Sequence, residues 1–180
     1  IPLAIESSRM DSYLQSRPAA TLSVQVKNIP ASVKQIDIKC TYVTFGSNFQ
    51  ITKYYSTNSK GTAEITLEQN LPYQQIWLSV GNYLYAGIYV NTELTVSVDA
   101  KKIKKDGVSF YGDGIIYSGV DGEFNTVMNK YVLFKREEKH ALSQRFDAIQ
   151  NERKNYTPDL FLEKTDSIWE ALTMLDDEFI

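Results

Sequence analysis

The sequence offers one cysteine and one histidine for nucleophilic or redox chemistry, Cys40 and His140. A cysteine nucleophile needs a base and an orienting group beside it, and a redox pair or thiolate zinc site needs more cysteines. Cys40 lies on the apolar side of an alternating segment, which favours a small buried side chain. His140 is flanked by charged residues, which favours a solvated helix position. We therefore predict no catalytic, cofactor-binding or metal-binding residue.

Carboxylates are plentiful, but no spacing singles out a catalytic pair. Asp113-Gly114 and Asp121-Gly122 resemble pieces of calcium loops without the regular acidic spacing of such a site, so turns are favoured. The run Asp176-Asp177-Glu178 favours a solvated helix face. The basic run KKIKK at 101–105 could touch phosphate or anionic lipid, but a five-residue loop in an acidic chain favours solvation.

An aromatic set is the remaining candidate for binding. Tyr83, Tyr85 and Tyr89 alternate along one segment, and Trp77 lies in the segment before it. Rings with polar tips can form a platform for a sugar or a peptide, and they can equally form a second core layer or contact a partner domain. The sequence leaves these interpretations open.

Size and composition define the scaffold that must position these residues. The chain has 180 residues with 43% hydrophobic and 23% charged content, enough for one domain with an appended subdomain. Its net charge of −3 provides no basic field, so we expect no nucleic-acid partner. No apolar run approaches the roughly 18–20 residues that span a membrane.

The first two thirds of the chain alternate with a period of two. Leu22, Val24 and Val26 share one side of the first such segment, and similar segments recur every 8–12 residues up to residue 119. Gly81-Asn82 predicts a tight hairpin turn. The pattern predicts an antiparallel β-sandwich of about seven to nine short strands.

After residue 120 the period becomes helical. Asp121 is predicted to cap a helix whose apolar stripe faces inward and which runs to about Arg153 with a bend near Glu138. Thr157-Pro158-Asp159 predicts the start of a second helix. Since the first helix is basic and the second acidic, we expect an antiparallel hairpin. The inward stripes are Phe124, Val127, Met128, Tyr131, Phe134, Leu142, Phe146 and Ile149, then Phe161, Ile168, Leu172, Leu175 and Phe179.

These segments predict an α+β fold, with an antiparallel sandwich followed by a C-terminal helical hairpin. The predicted domains are an N-terminal arm or linker at 1–18, the β-sandwich at 19–120 and the hairpin at 121–180. The last helix has no stop signal before Ile180, and the chain starts at Ile1 with no initiator Met. We expect a processed or excised start and a natural chain that continues past Ile180.

Several phrases resemble the N-terminal accessory domain of TlpA/ResA-type thioredoxin-like thiol–disulfide oxidoreductases of Bacteroidetes. The phrases are VQVKNIP, NSKGTAEITL, IYVNTELTVSVDA, VSFYG and SGVDGEFNTVMNKY, and the resemblance covers about residues 20–180. The chain departs from the pattern at 91–93, NTE, where many relatives have a Pro-Gly-Asp turn. It also lacks a C-x-x-C motif, so no catalytic residue is carried over.

The resemblance implies a non-catalytic accessory domain that positions a thioredoxin-like domain in cis, beyond Ile180, or contacts its protein substrates. It implies a periplasmic or cell-envelope location, with membrane attachment only through a lipid anchor upstream of the chain. No cofactor is expected. The alternative is a glycan- or peptide-binding sandwich module of the cell surface, and a small hydrolase using Cys40 and His140 is a third hypothesis.

Overall fold

The computed structural model describes residues 18–43, 50–67, 75–103 and 109–179. The predicted N-terminal arm, except Pro18, lies outside these ranges, as does the second half of the basic run. The chain divides into two compact units between Asn129 and Lys130. The predicted α+β class, a sandwich followed by a helical hairpin, is confirmed.

The described residues of the first unit form eight strands. They are β1 (Ala20–Lys27), β2 (Asp37–Val43), β3 (Gln50–Ser56), β4 (Thr62–Leu67), β5 (Gln75–Val80), β6 (Leu84–Tyr89), β7 (Glu93–Asp99) and β8 (Ile115–Ser118). They form two four-stranded sheets, the first in the order β4-β1-β7-β8 and the second in the order β3-β2-β5-β6.

Alternation correctly identified the side chains that fill the space between the sheets. Leu22, Val24, Ile38 and Leu78 are fully buried, and the other inward positions of β1, β2, β5, β6 and β7 are at most 6% exposed. Burying apolar surface at about 25 cal/mol per Å² drives this packing. Every second side chain of these strands points into the core, because successive side chains of a pleated strand point to opposite sides of the sheet.

The strand pairing departs from the prediction at one place. β1 and β7 run parallel, in register from Thr21 opposite Glu93 to Lys27 opposite Asp99. The other strand pairs in the described ranges are antiparallel. A parallel pair needs a long crossover rather than a tight turn, and here the whole second sheet lies in the sequence between β1 and β7.

The tight hairpin turn predicted at Gly81-Asn82 is confirmed. The Tyr83 N–H donates to the Val80 carbonyl at 3.0 Å across these two residues, and Val80 pairs with Leu84. Tyr83 packs against the core and does not share the outer face with Tyr85. At the end of the alternating region, in the segment VSFYG, Ser109 forms an isolated bridge with Leu84 among the described residues.

The helices are α1 (Gly122–Leu133), α2 (Arg136–Asn151) and α3 (Pro158–Asp177), with a short 3₁₀ turn at Arg153–Asn155. The single bent helix predicted to Arg153 is therefore wrong. Lys135 interrupts it with a left-handed φ of 47°, which an L-residue adopts at a cost. The break removes the continuous backbone hydrogen bonding of one helix, so α1 and α2 are separate.

The helical unit pairs α2 with α3 in antiparallel fashion, as the charges predicted. Lys139 forms an ion pair of 2.7 Å with Asp176, and Lys135 pairs with Glu178. Near the middle, Phe146 meets Trp169 edge-to-face at 5.8 Å. Thr157 caps α3 through a 3.4 Å hydrogen bond that its hydroxyl accepts from the Leu160 N–H, which confirms the predicted start.

Candidate functional site

The junction between the last strand and α1 is fixed by the carboxylate of Asp121. Its Oδ2 accepts hydrogen bonds from the backbone N–H groups of Asn91, Thr92 and Glu93, at 2.9, 2.8 and 3.0 Å. Asp121 is only 8% exposed. A carboxylate that accepts several backbone N–H bonds forms charge-assisted interactions stronger than neutral ones. Asp121 thus ties α1 to the loop between β6 and β7.

This role differs from the predicted helix cap. Within the described residues, the Asp121 carboxylate accepts from the 91–93 loop and not from the first turn of α1. All three donors are backbone N–H groups, so the binding of the Asp121 carboxylate requires no particular side chain at 91–93.

Asn125 continues the junction one turn further along α1. The residue is fully buried. Its Oδ1 accepts from the Tyr89 N–H at 2.9 Å, and its Nδ2 donates to the Tyr89 carbonyl at 2.8 Å. Nδ2 also donates to the Asp121 carbonyl at 2.7 Å. One side-chain amide thereby pairs with both backbone groups of a strand residue, as a neighbouring strand would.

Asn129 repeats the arrangement at the next turn. It is 3% exposed, and its Nδ2 donates to the Gly87 carbonyl at 3.3 Å and to the Asn125 carbonyl at 2.9 Å. Positions four apart on a helix lie on the same face, while Tyr89 and Gly87 are two apart on the same strand. Four residues of a helix and two residues of a strand both advance by roughly 6–7 Å, so α1 lies along the edge of β6. We call Asp121, Asn125 and Asn129 the staple.

The staple changes the predicted orientation of α1 in part, because Met128, Tyr131 and Phe134 of the predicted stripe are half-buried while its other two members are exposed. Phe124 is 43% and Val127 46% exposed, although both belong to the stripe expected to face inward. The buried side chains of this helix are the two asparagines. Unpaired N–H and C=O groups at the edge of a sheet need hydrogen-bond partners. That requirement at β6 is met by amides and would not be met by apolar side chains.

The turn entering α1 also depends on two glycines. Gly119 has a φ of 89°, which L side chains rarely adopt. A Cβ on Gly122 would come within 3.0 Å of the Tyr117 carbonyl oxygen. A Cβ on Gly119 would come within 3.0 Å of the Glu93 carbonyl oxygen, which accepts a hydrogen bond from the Asp121 N–H at 3.0 Å. The staple therefore rests on backbone geometry as well as on its polar side chains.

Cys40 is confirmed as a core residue. It is fully buried on the inner side of β2, and burial raises the pKa of its thiol to about 12. The thiolate is the reactive form of cysteine, and desolvation disfavours it. His140 is exposed on α2 in the helical unit, and its Nε2 is hydrogen-bonded with Gln144 at 3.1 Å. Cys40 is thus a buried residue of the sandwich core, and His140 is an exposed residue of the helical unit.

Several of the remaining charged candidates have structural partners. Asp176 and Glu178 pair with lysines of the hairpin. Lys101, in the described part of the basic run, follows Asp99, whose Oδ1 accepts from the Lys101 N–H and from Asn28 Nδ2. In the part of the chain that the structure describes, no group of three or more His, Cys, Asp and Glu residues could hold a metal ion, and no helix could span a membrane.

The outer side of the second sheet carries a cluster of rings. Trp77 and Tyr85 stack with centroids 5.5 Å apart and planes at 14°. Tyr85 is 50% and Tyr54, on β3, 70% exposed. We call Tyr54, Trp77 and Tyr85 the aromatic face. Tyr89 lies outside this cluster and meets Phe124 edge-to-face at 5.6 Å. The sequence interpretation included Trp77 and Tyr85 but missed Tyr54, which the alternation of β3 places on the outer side.

A cleft of about 790 Å³ opens at one end of the sandwich. The loop after β1, the β5–β6 hairpin and the loop after β7 meet there. Ile29, Ile36 and Ile103 contribute apolar walls, and Tyr83 and Lys101 contribute polar groups. Its volume is that of an ordinary small-molecule site, but its polar groups do not converge on a recognisable chemistry.

No family model and no curated protein matches the chain. Among solved structures, the crystal structure of the Archaeoglobus fulgidus oligosaccharyltransferase in the apo form is similar over 45% of this chain, with 19% identity and a TM-score of 0.29. The matched part is 10% of that protein. A likeness at this score carries no argument about fold or function.

Proposed function

We propose that this chain is the non-catalytic N-terminal accessory domain of a cell-envelope thiol–disulfide oxidoreductase. The observation that carries the proposal is the structural position of the segment SGVDGEFNTVMNKY. Its three staple residues hold α1 along β6, at the point where the chain leaves the last strand of the sandwich. This segment is the longest of those that resemble the accessory-domain family. Its role here is structural, which fits a module that positions a neighbouring domain.

In this proposal the sandwich is a rigid base for a thioredoxin-like domain in cis. The domain would act on protein substrates in the periplasm or envelope, with any membrane attachment through a lipid anchor upstream. The redox chemistry belongs to that domain. The buried Cys40 supports this assignment, because a thiol with a pKa of about 12 supplies little thiolate at neutral pH.

Reduction of insulin disulfides by dithiothreitol tests the catalytic part of the proposal. The purified 180-residue chain should leave the background rate unchanged, and so should its Cys40→Ser variant. Turnover by the chain that disappears in Cys40→Ser would refute the non-catalytic assignment. A disulfide reductase added as a positive control establishes that the assay detects activity.

The coding sequence past Ile180 tests the domain arrangement. A C-x-x-C motif in a strand-to-helix context within about a hundred residues, the size of a small domain, is expected. If it is found, Asp121→Ala and Asn125→Ala in the full protein should slow reduction of protein substrates more than reduction of a small disulfide. If the variants slow both reactions by the same factor, a positioning role for the staple is contradicted.

A further inference from the structure

The aromatic face crosses the second sheet, with Trp77 on inner strand β5 and with Tyr54 and Tyr85 on the two outer strands, β3 and β6. Trp77 lies beside Gly87, where a Cβ would be 3.6 Å from the Trp77 Cζ3 atom. The absent side chain leaves room for the indole, and Tyr85 stacks on it. The exposed Tyr85 ring is therefore held in place before any ligand arrives, which lowers the entropic cost of binding.

Polar side chains surround the rings. Thr41, directly opposite Trp77 on β2, shares a 2.9 Å hydrogen bond between its hydroxyl and that of Thr52. Ser79 is opposite Tyr85, and the Gln75 amide reaches the space above Gly87. Hydroxyl and amide groups can both donate and accept. The face thus combines ring surfaces with neutral hydrogen-bonding groups.

We propose that the aromatic face binds a neutral oligosaccharide, with one sugar ring stacked on Tyr85. A pyranose presents C–H groups on its faces and hydroxyls around its rim, which complements rings bordered by hydroxyl and amide side chains. This function goes beyond the accessory role, and it selects the glycan from the glycan and peptide alternatives of the sequence.

Strand pairing argues against an extended peptide. β2 and β5 are inner strands, paired on both sides, and only Tyr54 lies on an edge strand with no helix along it among the described residues. A peptide laid across this face would find few backbone partners, whereas peptides that add to sheets do so at an edge. A sugar needs no backbone partner, because side chains satisfy its hydroxyls.

Charge and length define the ligand further. The charged residues at described outer positions of the sheet are one anion and one cation, Asp37 and Lys39, and the Lys39 ammonium already lies 5.8 Å over the Tyr54 ring. A neutral ligand complements this balance. Tyr54 and Tyr85 lie on one row, three strands apart, which spans about 14 Å at ~4.8 Å per strand. One sugar ring is shorter than this span, so we specify an oligosaccharide.

Titration calorimetry of the 180-residue chain with cellohexaose, xylohexaose, mannohexaose and chitohexaose tests the proposal. At least one should bind saturably. Tyr85→Ala should weaken that binding roughly tenfold or more, the loss expected for a stacking partner. Tyr54→Ala should weaken hexaose binding more than trisaccharide binding. Both tyrosines are exposed, so circular dichroism should be unchanged.

Matched variants identify the site. Tyr156→Ala, in the helical unit, removes a tyrosine outside the face and should leave the dissociation constant unchanged. In a Trp169→Phe background, fluorescence reports on Trp77 alone and should change with the calorimetric dissociation constant. The proposal is overturned if none of the four hexaoses binds, or if Tyr85→Ala leaves the affinity unchanged. It is also overturned if only a random peptide mixture binds through Tyr85.

Discussion

Replacing Asn125 by Asp tests the staple with a nearly isosteric change. The Nδ2 group of Asn125 donates to the carbonyls of Tyr89 and Asp121 at 2.8 and 2.7 Å. The ionised side chain of the Asn125→Asp variant would place an oxygen without a proton against both carbonyls. The shape of the residue is kept, so the change in the free energy of unfolding reports on hydrogen bonding and charge.

The expected change in the free energy of unfolding follows from the two hydrogen bonds that are lost and from the two carbonyls that then face a carboxylate oxygen. Two hydrogen bonds of about 1 kcal/mol each disappear, and two carbonyls in a buried site lose a partner at about 1 kcal/mol or more each. Burial of the new carboxylate adds to the loss. We expect Asn125→Asp to lower the free energy of unfolding by about 3–5 kcal/mol at pH 8, a large part of the stability of a typical domain.

The loss should depend on pH with a definite sign. Burial and the facing carbonyls raise the pKa of the new carboxyl above its unfolded value of about 3.9. A raised carboxyl pKa means that the penalty is small below about pH 4 and grows as pH rises from the unfolded pKa to the folded pKa. The protonated acid can also donate one hydrogen bond to a carbonyl. We expect the loss to be smaller at pH 4 than at pH 8 by roughly 1–2 kcal/mol.

Urea unfolding followed by Trp77 fluorescence in a Trp169→Phe background measures this change. Trp169 is 58% exposed in the helical unit, so its replacement should not disturb the sandwich. Asn82→Asp is the matched control, because Asn82 is exposed in the β5–β6 hairpin of the same unit. It should change the free energy by less than about 0.5 kcal/mol. The reasoning is refuted if Asn125→Asp matches the control at pH 8, or if its loss is equal at both pH values.

Three further predictions concern other parts of the chain. Cys40 should react with Ellman's reagent only in urea, because the folded thiol is fully buried; stoichiometric reaction of the native chain would contradict the core position. Lys53→Val should promote self-association. Lys53 lies on edge strand β3, opposite the buried Cys40 of β2, and an inward-pointing charge protects a sheet edge from pairing with another chain. Sedimentation coefficients identical to wild type up to high concentration would contradict this. The hydrogen bond from Lys139 lowers the pKa of the Asp176 carboxyl, so the stability that this pair contributes is present above about pH 4 and is lost as pH falls through the folded pKa. Asp176→Asn should therefore reduce the acid dependence of thermal unfolding followed at 222 nm, and an unchanged dependence would refute the pairing.

The sheet part of the fold could be predicted because period-two alternation is a local property. The pleat fixes which residues share a side, so Leu22, Val24 and Val26 are buried together wherever the strand lies. The start of α3 was equally local, since the Thr157 hydroxyl caps an N–H three residues away. The order of the strands could not be read this way, and the parallel pairing of β1 with β7 is a consequence of the complete sandwich.

The helix after the sandwich shows the limit of periodicity. The stripe through Phe124 and Val127 identifies residues on one face but does not say whether that face meets protein. The sequence did contain a usable signal, because Asn125 and Asn129 are four apart and follow the buried Asp121. Amides repeated at helical spacing are poor choices for solvent-facing helix positions on propensity alone, and here they complete a strand edge.

The sequence by itself determined the class of the fold, the inward side of the strands and the antiparallel charge pairing of the last two helices. Each of these depends on neighbours in sequence or on the sum of charges along an element. Only the tertiary structure decided which strand edge needed covering, which face of α1 covers it and which rings stand together on the second sheet. Those features depend on which distant segments become neighbours, because hydrogen-bond and stacking partners are chosen by proximity in space.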